Sequence, residues 1–536
     1  MTENKTIKEI IIEQLSTFNV KNIYGYPGDT ILEFISALKK SPIKFYSTRH
    51  EETAGLMASA EAKLDEKLAV CTAHSGPGTA NIINGIADAY SDRASVLLIT
   101  GQVPTHNVGT NYKQYVNQQQ LTEPLTVYSG ILINPEAIID ILYKAMIKAI
   151  TRGGVSHVII PMDMWNKTTQ AQIRKYPQHI KRKIDPDPDL IDKAIKKINN
   201  SNKPVILYGR GAQDCQKQLK KISEKIGAAL INSLPAANLI EYNFSYSLGG
   251  LGQGGSEQAS HILNQSDLVL IIGTNWWPMD YTPRLPEVIQ LDIIKENLGN
   301  THPVEIGILG DIKTSLKQFL EKNNLKKNHQ WEDQIKQAHK EWLNNLKNNL
   351  QNNDFPLHPS VVMNTISENI KKDEIIALDS GDNVIWFSKY FKNKCKKILI
   401  SGTWRTMGFS LPAAMAAKIN KPEQPVTAII GDGGLLMVLA ELLTVYKYKL
   451  NIRILLINNG SLAMEKNKMK AANLTPDEVS LNNPDFKKLA NIFNLEAYRV
   501  KNIEELNDIL TNTEKSKNPV LVNIPTNDIM PPETKL

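Results

Sequence analysis

The chain has 536 residues, a net charge of +7, 42% hydrophobic residues and 22% charged residues. These are ordinary values for globular proteins, and at about 150 residues per domain the length favours three or four domains. No apolar run approaches the roughly 18 residues that span a bilayer, so we expect no membrane span. The lysines are scattered and belong to no nucleic-acid-binding motif, so we expect no nucleic-acid partner.

The first residues, MTENKTIKEIIIEQLSTF, have apolar side chains at helical spacing interrupted by charges, which is not the pattern of an export signal. The three cysteines, Cys71, Cys215 and Cys395, lie far apart and lack the spacing of metal ligands. This argues against a disulfide framework or a zinc site. We therefore expect a cytoplasmic protein with reduced thiols.

Short β-branched runs alternate with helical patterns along the whole chain. In order, they are KLAVCTAHSGPG, SVLLITGQ, SHVIIPMD, KPVILYGRG, DLVLIIGTN, EVIQLDI, EIIALDSGDN, KILISGT, VTAIIGDGG and RILLINN. Continuous apolar runs separated by helices are typical of parallel sheets that are covered on both faces. The fold class predicted from this pattern is doubly wound α/β.

Two polar stretches interrupt the series. QIRKYPQHIKRKIDPDPD reads as a linker, and the Asn/Lys-rich stretch at 321–359 reads as a helix followed by a linker. These breaks predict three doubly wound parallel-sheet domains, with bounds 1–182, 183–340 and 341–536.

A glycine-rich turn at 431–434 follows the apolar run VTAII. Such a turn lets phosphate oxygens approach the N–H groups of the next helix, although it also occurs simply as tight packing. If the two strands VTAII and RILLIN are parallel neighbours, Asp432 and Asn459 emerge at the same edge of a sheet. Their oxygens, a backbone carbonyl and a diphosphate could complete the octahedral coordination of Mg²⁺.

A GDG turn followed by NN at the end of the next strand resembles the metal motif of the thiamine diphosphate enzymes. The resemblance assigns Mg²⁺ to Asp432, Asn459 and the backbone oxygen of Ser461. It also identifies a segment of the first domain, RHEE at 49–52, with the glutamate that activates the cofactor's aminopyrimidine, and it selects Glu51 for this catalytic role. Acidic residues also favour helix starts for electrostatic reasons alone, and this reading is kept for Glu52.

The resemblance implies further contacts with thiamine diphosphate, and it gives Met407 the part of the apolar wedge that bends the cofactor. The implied set is Pro27, Gly28, Asn84, Gly381, Asp382, Asn383, Arg405, Thr406, Met407, Gly431, Asp432, Gly433, Gly434, Asn459, Gly460, Ser461, Leu462 and Met464.

Segments at the predicted strand ends of the middle domain resemble the FAD-binding segments of pyruvate oxidases and acetolactate synthases, with Asp292 at the adenosine ribose. The implied FAD set is Gly209, Arg210, Gly211, Gly249, Gly250, Leu251, Gly252, Thr274, Asn275, Asp292, Asp311 and Ile312.

Over its length the chain is most similar to the quinone-reducing branch of the pyruvate oxidase family. This resemblance implies oxidative decarboxylation of pyruvate, or a similar 2-oxo acid, to acetate and CO₂, with electrons passed through FAD to quinone. It also implies a homodimer at minimum and favours a homotetramer. The alternatives are a phosphate-dependent oxidase that yields acetyl phosphate and H₂O₂, and a carboligase of the acetolactate synthase type.

The chain departs from the family pattern on the substrate side, where it has Met464, Lys468 and Lys113. Lys113 also reads as a solvated loop lysine and Met464 as a conservative filler, so the 2-oxo acid stays open. The quinone-reducing relatives continue past the segment PPETKL into an amphipathic tail. We expect this protein either to need no membrane docking or to contact the inner membrane face in another way.

Two other classes of protein compete with this interpretation. A nicotinamide-dependent dehydrogenase would place G-x-G-x-x-G after a first strand with an acid about 20 residues on, a pattern that the first domain lacks. The substituted substrate side also leaves room for a non-catalytic scaffold with the same fold.

Overall fold

The computed structural model describes residues 4–176, 184–277, 286–322, 324–352, 354–393, 395–514 and 516–531. Within these ranges the chain forms three six-stranded sheets in which all neighbouring strands are parallel. The predicted fold class is therefore confirmed. The predicted boundary between 182 and 183 and the last five residues of PPETKL lie outside the described residues.

The first domain has the strand order β3-β2-β4-β5-β7-β6, with a short antiparallel pair of β1 and β8 beside it. Its elements are β1 Lys5–Thr6, α1 Ile7–Thr17, β2 Asn22–Gly25, α2 Leu32–Leu38, β3 Lys44–Ser47, α3 Glu51–Asp65, β4 Ala69–Ala73, α4 Pro77–Asn81, α5 Ile83–Ser91, β5 Val96–Gln102, α6 Gln118–Thr122, β6 Tyr128–Ile131, α7 Ile138–Arg152, β7 Val155–Pro161 and β8 Thr168–Thr169. The central strands β4, β5 and β7 are buried along their whole length, as expected for a sheet covered on both faces.

The central domain has the order β11-β10-β9-β12-β13-β14, which is that of dinucleotide-binding sheets. Its elements are α8 Pro188–Asn200, β9 Pro204–Tyr208, α9 Gln216–Ile226, β10 Ala229–Asn232, β11 Ser247–Gly250, α10 Glu257–Gln265, β12 Leu268–Ile272, β13 Glu287–Asp292, β14 Ile306–Leu309 and α11 Ile312–Glu321. The strand order reverses between β9 and β12, so the ligand crevice of this topology lies there.

The third domain has the order β16-β15-β17-β18-β20-β19. Its elements are α13 Pro359–Glu368, β15 Ile375–Leu378, α14 Asp382–Tyr390, β16 Lys397–Ile400, α15 Ser410–Asn420, β17 Val426–Gly431, α16 Asp432–Met437, α17 Leu442–Lys447, β18 Arg453–Asn458, α18 Ala463–Ala471, α19 Phe486–Ile492, β19 Glu496–Arg499, α20 Ile503–Thr513 and β20 Val520–Pro525. Counted in chain order within each sheet, the first and third domains have the same strand order, with the reversal between the first and third strands.

A long helix, α12 (His329–Asn348), connects the central and third domains. Trp331 and Ile335 pack in the core of the central sheet, whereas Trp342 and Leu346 pack in the core of the third. The predicted boundary between 340 and 341 falls inside this helix, between the two pairs of buried side chains. The helix predicted in this stretch is present, and the boundary stays a prediction.

Helix α3 of the first domain packs against α15 of the third domain, and the two domains share one hydrophobic core. On its other side α3 crosses α5 closely, because Gly55 and Gly85 face each other: a Cβ on Gly85 would stand 2.6 Å from the Cα of Gly55. The strand ends of the two domains are therefore held in a fixed relation. Among the described residues no helix has the length and apolarity to cross a membrane.

A buried ion pair stabilises the start of β18. Arg453 donates to Glu374 at 2.9 Å and also to the side chain of Thr427 and the carbonyl of Leu510. Breaking a buried pair leaves an uncompensated charge, which costs about 3–5 kcal/mol. We expect Arg453→Met to lower the midpoint of thermal unfolding by several degrees, measured by calorimetry. The double variant Arg453→Met/Glu374→Gln should recover part of the loss, and an unchanged midpoint in the single variant would contradict this assignment.

Candidate functional site

A cavity of about 210 Å³ opens at the carboxyl ends of β15 and β17, where the strand order of the third sheet reverses. Among the described residues, its lining comes from the third domain apart from Leu234. The predicted set lines it at Gly381, Asp382, Asn383, Arg405, Met407, Gly431, Asp432, Gly433, Gly434, Asn459, Ser461, Leu462 and Met464. Open α/β sheets bind ligands at this kind of position.

The glycine-rich turn and the end of β18 meet at this edge. Strands β17 and β18 are parallel neighbours, with Gly431 opposite Ile457. One carboxylate oxygen of Asp432 accepts the N–H of Gly460 at 2.7 Å and the side-chain amide of Asn483 at 2.7 Å. The predicted proximity of Asp432 to the residues that end β18 is therefore observed, and it rests on direct hydrogen bonds.

The oxygens at this meeting point fit Mg²⁺. Asp432 supplies a carboxylate, Asn459 an amide oxygen that accepts the N–H of Ser461 at 3.1 Å, and Asn483 a buried amide oxygen without a hydrogen-bond partner among the described residues. Mg²⁺ takes oxygen ligands of these kinds. Burial raises the pKa of Asp432, and the donors from Asn483 and Gly460 oppose that rise.

Open backbone around the cavity fits a diphosphate. A Cβ placed on Gly460 would meet no atom within 4 Å, and one on Gly431 would meet only Asn383 at 3.7 Å. The hydroxyl of Ser461 is buried and unpaired among the described residues, as is that of Thr526, which also lines the cavity. Backbone N–H groups and free hydroxyls are what a phosphate group requires.

The opposite wall of the cavity is apolar. A Cβ on Gly433 would stand 3.0 Å from the side chains of both Met407 and Leu462, so these two side chains close over the turn. Arg405, just before Met407, has a positive φ of 56°. Thr406 does not line the cavity, but its N–H donates to Ser401 at 3.0 Å and closes the loop that carries Met407. An apolar wall beside a polar floor suits an aromatic ring attached to a diphosphate.

Burial also perturbs two carboxyl groups beside the cavity. The pKa of Asp382 rises to about 6, because the group is buried and Asp528 is near it, and one of its oxygens is unpaired among the described residues. The pKa of Asp379 rises to about 7 for the same reason of burial, although its carboxylate accepts the N–H groups of Gly408 and Phe409. Asp379 therefore anchors the end of the Met407 loop.

The predicted catalytic residue lies in a second cluster, at the reversal point of the first sheet. Glu51 begins α3, is 7% exposed and accepts the side-chain amide of Asn81 at 3.1 Å. A Cβ on Gly78 would stand 3.0 Å from the carboxylate of Glu51. Gly78 and Gly28 both pack against the ring-bearing side chain of His74, so the predicted Pro27-Gly28 loop belongs to the same cluster.

Within one chain this cluster, composed of Gly28, Glu51, His74 and Gly78, does not join the third-domain cavity. Asn84 also lies apart from the cavity lining: its amide donates to Glu52 at 2.6 Å and to Thr406 at 2.8 Å, and its oxygen accepts from Trp404 at 2.7 Å. In this geometry Asn84 positions the loop before Met407, and its predicted contact with the cofactor stays a prediction.

The predicted FAD residues lie at the carboxyl edge of the central sheet. The turn 209–211 follows β9 and the turn 273–275 follows β12, so the two flank the reversal point. They touch closely, because a Cβ on Gly211 would stand 2.8 Å from the Cα of Gly273. Gly249 and Gly250 end β11 at the same edge, Leu251 and Gly252 follow the strand, and Leu251 is buried there.

The two aspartates of the FAD set already have structural partners. Asp292 accepts the N–H of Ile294 at 2.9 Å and the amide of Asn297 at 3.0 Å. Asp311 caps helix α11, which begins at Ile312, through the N–H of Thr314 at 2.8 Å. A crevice with glycine turns at the reversal point fits a dinucleotide, while these carboxylates as ribose or phosphate contacts stay predictions.

Three family models match the chain, one on each sheet. The N-terminal TPP binding domain of thiamine pyrophosphate enzymes matches residues 5–121, the central domain of these enzymes residues 191–319, and their C-terminal TPP binding domain residues 379–524. The chain belongs to the thiamine pyrophosphate enzymes. Thiamine pyrophosphate and thiamine diphosphate are two names for one compound, so the cofactor of this chain is thiamine diphosphate.

Named relatives of this thiamine pyrophosphate enzyme align with nearly all of it. A protein named as thiamine pyrophosphate-containing, YdaP of Bacillus subtilis, is 31% identical over 525 residues, which is 97% of this chain and 92% of the relative. An acetolactate synthase large subunit of Cyanidium caldarium is 30% identical over 97% of this chain and 92% of its own. A pyruvate oxidase of Lactiplantibacillus plantarum is 27% identical over 98% and 89%.

Sequence reasoning missed three polar residues that shape the site of this thiamine pyrophosphate enzyme. Asp379 and Asn483 are described above. Glu441 of the third domain is buried and accepts the N–H groups of Arg49 and His50, at 2.9 Å and 3.2 Å, immediately before Glu51. Of these three residues, only Asp379 could have been predicted from the sequence, since it directly follows a buried strand at a sheet edge. The other two contact residues that are far away in the sequence.

Proposed function

We propose that the protein oxidises pyruvate with loss of CO₂, using thiamine diphosphate, Mg²⁺ and FAD, and that quinone is the final electron acceptor. Pyruvate and one water would give acetate, CO₂, two protons and two electrons. The observation that carries the proposal is the pairing of two crevices: a polar and apolar cavity with the Asp432 oxygens in the third domain, and a dinucleotide-type reversal point in the central domain.

The residues of the cavity would have different roles in binding the cofactor. Asp432, Asn459 and the backbone oxygen of Ser461 would hold Mg²⁺, and the open backbone at Gly431 and Gly460 would receive the diphosphate. Met407 and Leu462 would support the rings. When bound, thiamine diphosphate would supply an acceptor for the electron pair left by CO₂, and FAD would supply an acceptor for two electrons.

Glu51 would hold and return a proton at its carboxyl group. The Glu51 side chain is buried, and its carboxylate accepts a hydrogen bond from the side-chain amide of Asn81. A general acid or base that is positioned in this way contributes a factor of about 10²–10⁴ to a rate. The backbone contacts of Glu441 to Arg49 and His50 fix the start of α3 and thereby the direction of the Glu51 side chain.

We further propose that two subunits complete each site. Glu51 lies at the point where the strand order of the first sheet reverses, and the cavity lies at the corresponding point of the third sheet. Within one chain these two places do not form one site. Large apolar side chains stand exposed near each of them, with Leu32 51% exposed beyond the Pro27-Gly28 loop and Met437 64% exposed at the end of α16. A homodimer that sets the first domain of one subunit over the third domain of another would cover these side chains, and a homotetramer would pair two such dimers.

The substrate side favours a small 2-oxo acid but leaves its identity as a proposal. Met464 lines the cavity, whereas Lys468 is exposed and pairs at 2.9 Å with Glu465, which also lines the cavity. Lys113 is exposed, in the loop whose Gln114 packs on Gly76 beside the Glu51 cluster. Met464, Lys468 and Lys113 therefore all stay candidates for the residues that determine substrate specificity.

The acceptor decides between the proposed reaction and its two alternatives. The relatives include both an oxidase and synthases, so a carboligase of the acetolactate synthase type is the second candidate. Quinones dissolve in lipid, so quinone reduction would bring a cytoplasmic protein into peripheral contact with a membrane surface. This location is part of the proposal.

One product assay tests the proposal. Purified protein with thiamine diphosphate and Mg²⁺ is given pyruvate, with and without phosphate and with and without a soluble quinone. A yellow protein that forms acetate and reduces quinone in equal amounts supports it. Acetyl phosphate with H₂O₂ would establish the phosphate-dependent oxidase, acetolactate without acceptor reduction would establish the carboligase, and a colourless protein without any product would sink both oxidase forms.

A further inference from the structure

The end of helix α5 lies where all three domains touch. Asp92, the residue after α5, is buried, and its two carboxylate oxygens accept the N–H groups of Gly402 and Thr403, each at 2.9 Å. These two residues begin the loop that carries Arg405 and Met407 into the wall of the cavity. The carboxylate of Asp92 therefore links the first domain to the third domain by two hydrogen bonds.

A lysine fixes the charge of this carboxylate. Lys63, 7% exposed on α3, lies 2.6 Å from Asp92 and 2.7 Å from Asp88, one turn earlier on α5. Burial alone would raise the pKa of Asp92, but Lys63 and Arg210 hold it down, at about 2. Hydrogen bonds from N–H groups to an ionised acceptor are roughly twice as strong as neutral ones.

The same short segment also reaches the central domain. Arg210, in the predicted FAD turn, donates to the backbone carbonyl of Asp92 at 2.7 Å. The next residue, Arg93, donates at 3.1 Å to Asn297, which in turn donates to Asp292. The backbone of Asp92 is thus held by the central domain while its carboxylate holds the cavity loop.

We propose that Asp92 is a positioning residue that fixes the loop at 401–407 against the thiamine diphosphate cavity. It acts through Gly402 and Thr403 and not by touching the cofactor. Asn84 holds the same loop further along, at Trp404 and Thr406, so α5 fixes it at two points. The inference rests on the proposed binding of thiamine diphosphate in this cavity.

Two substitutions disrupt the hydrogen bonds between Asp92 and the loop, one at the carboxylate and one at the loop. Asp92→Asn removes the charge and turns an amide N–H towards one of the two backbone donors, while Lys63 keeps Asp88 as its partner. Gly402→Ala leaves the ion pair intact but places a Cβ 2.9 Å from the Asp92 carboxylate. The matched control is Asp88→Asn, which removes the other carboxylate partner of Lys63. Among the described residues, Asp88 has no hydrogen bond to the loop, while Lys63 keeps its hydrogen bond to the carbonyl of Ile400.

Two measurements on the full-length protein separate positioning from stability. In ligand-free protein, amide hydrogen exchange of the peptide 401–409 should become about tenfold faster in Asp92→Asn and Gly402→Ala, and stay within twofold in Asp88→Asn. The dissociation constant for thiamine diphosphate with Mg²⁺, followed by tryptophan fluorescence, should rise about tenfold in the first two variants only.

The outcomes also distinguish this inference from the proposed function. Wild-type protein that binds thiamine diphosphate, with both loop variants matching Asp88→Asn in exchange and affinity, would overturn the role of Asp92. Loss of affinity in all three variants would assign the effect to Lys63 and also overturn it. If the wild type binds no thiamine diphosphate, the proposed function fails, while the exchange of 401–409 still decides whether Asp92 holds the loop.

Discussion

Replacement of Glu51 by glutamine is expected to lower kcat for pyruvate by about 10³-fold while thiamine diphosphate and FAD still bind. The glutamine keeps the size of the side chain and an oxygen for the Asn81 amide, but it can no longer exchange a proton. Positioned proton transfer is worth about 10²–10⁴-fold. Steady-state rates with pyruvate and a dye acceptor, together with the flavin spectrum and a thiamine diphosphate titration, measure the two effects separately.

The neighbouring carboxylate provides the control. Glu52 is the second residue of the same helix and accepts the Asn84 amide at 2.6 Å. Glutamine preserves this acceptor role, so Glu52→Gln should stay within about threefold of wild type. Gly78→Ala places a Cβ 3.0 Å from the Glu51 carboxylate and should lower kcat without removing the acid. Full activity in Glu51→Gln would exclude Glu51 from catalysis.

The second large effect is expected for Asp432→Asn. The substitution removes the carboxylate charge facing the proposed Mg²⁺ and turns an amide group towards the donors Gly460 and Asn483. Even the partners of metal ligands are worth about 10–100-fold in metal affinity, so a ligand should be worth at least about 100-fold. Titration of activity and of thiamine diphosphate binding with Mg²⁺ should show saturation only at far higher metal concentration.

An aspartate at a nearby helix start separates the metal effect from a general loss of charge. Asp485 caps α19 by accepting the N–H groups of Lys487 and Lys488, and asparagine caps helices equally well. Asp485→Asn should therefore have wild-type Mg²⁺ dependence. An Asp432→Asn protein with unchanged Mg²⁺ dependence would remove Asp432 from the metal site.

The sequence predicted those strands whose side chains are continuously apolar and missed those that are short and mixed. VLLITGQ and RILLIN stood out because both faces of these strands are covered, which favours apolar residues at most positions. The strands NIYG and KFYS, four residues each, offer no such run, although β2 and β3 carry the Pro27-Gly28 loop and the approach to Glu51. Tertiary pairing, not local pattern, makes them strands.

The cavity itself was largely predictable from the sequence, because its residues follow strands whose order determines where they meet. Asp432 and the end of β18 needed only the assumption of parallel neighbours, which the register confirms. Asn483 and Glu441 could not be foreseen, since each reaches its partner through folded loops without regular spacing. Asn84 is the opposite case. It belongs to the predicted cofactor set, but its side-chain amide group forms hydrogen bonds with Thr406 and Trp404.

Helix α12 determines how far the two crevices can move relative to each other. Trp331 anchors the first turns of the helix in the core of the central domain, and Trp342 anchors its last turns in the core of the third domain. The helix therefore connects the two domains rigidly and not as a hinge. Electron transfer between two bound cofactors depends on their separation. In this protein that separation would be set once, when the chain folds, and not by a swinging domain during each turnover.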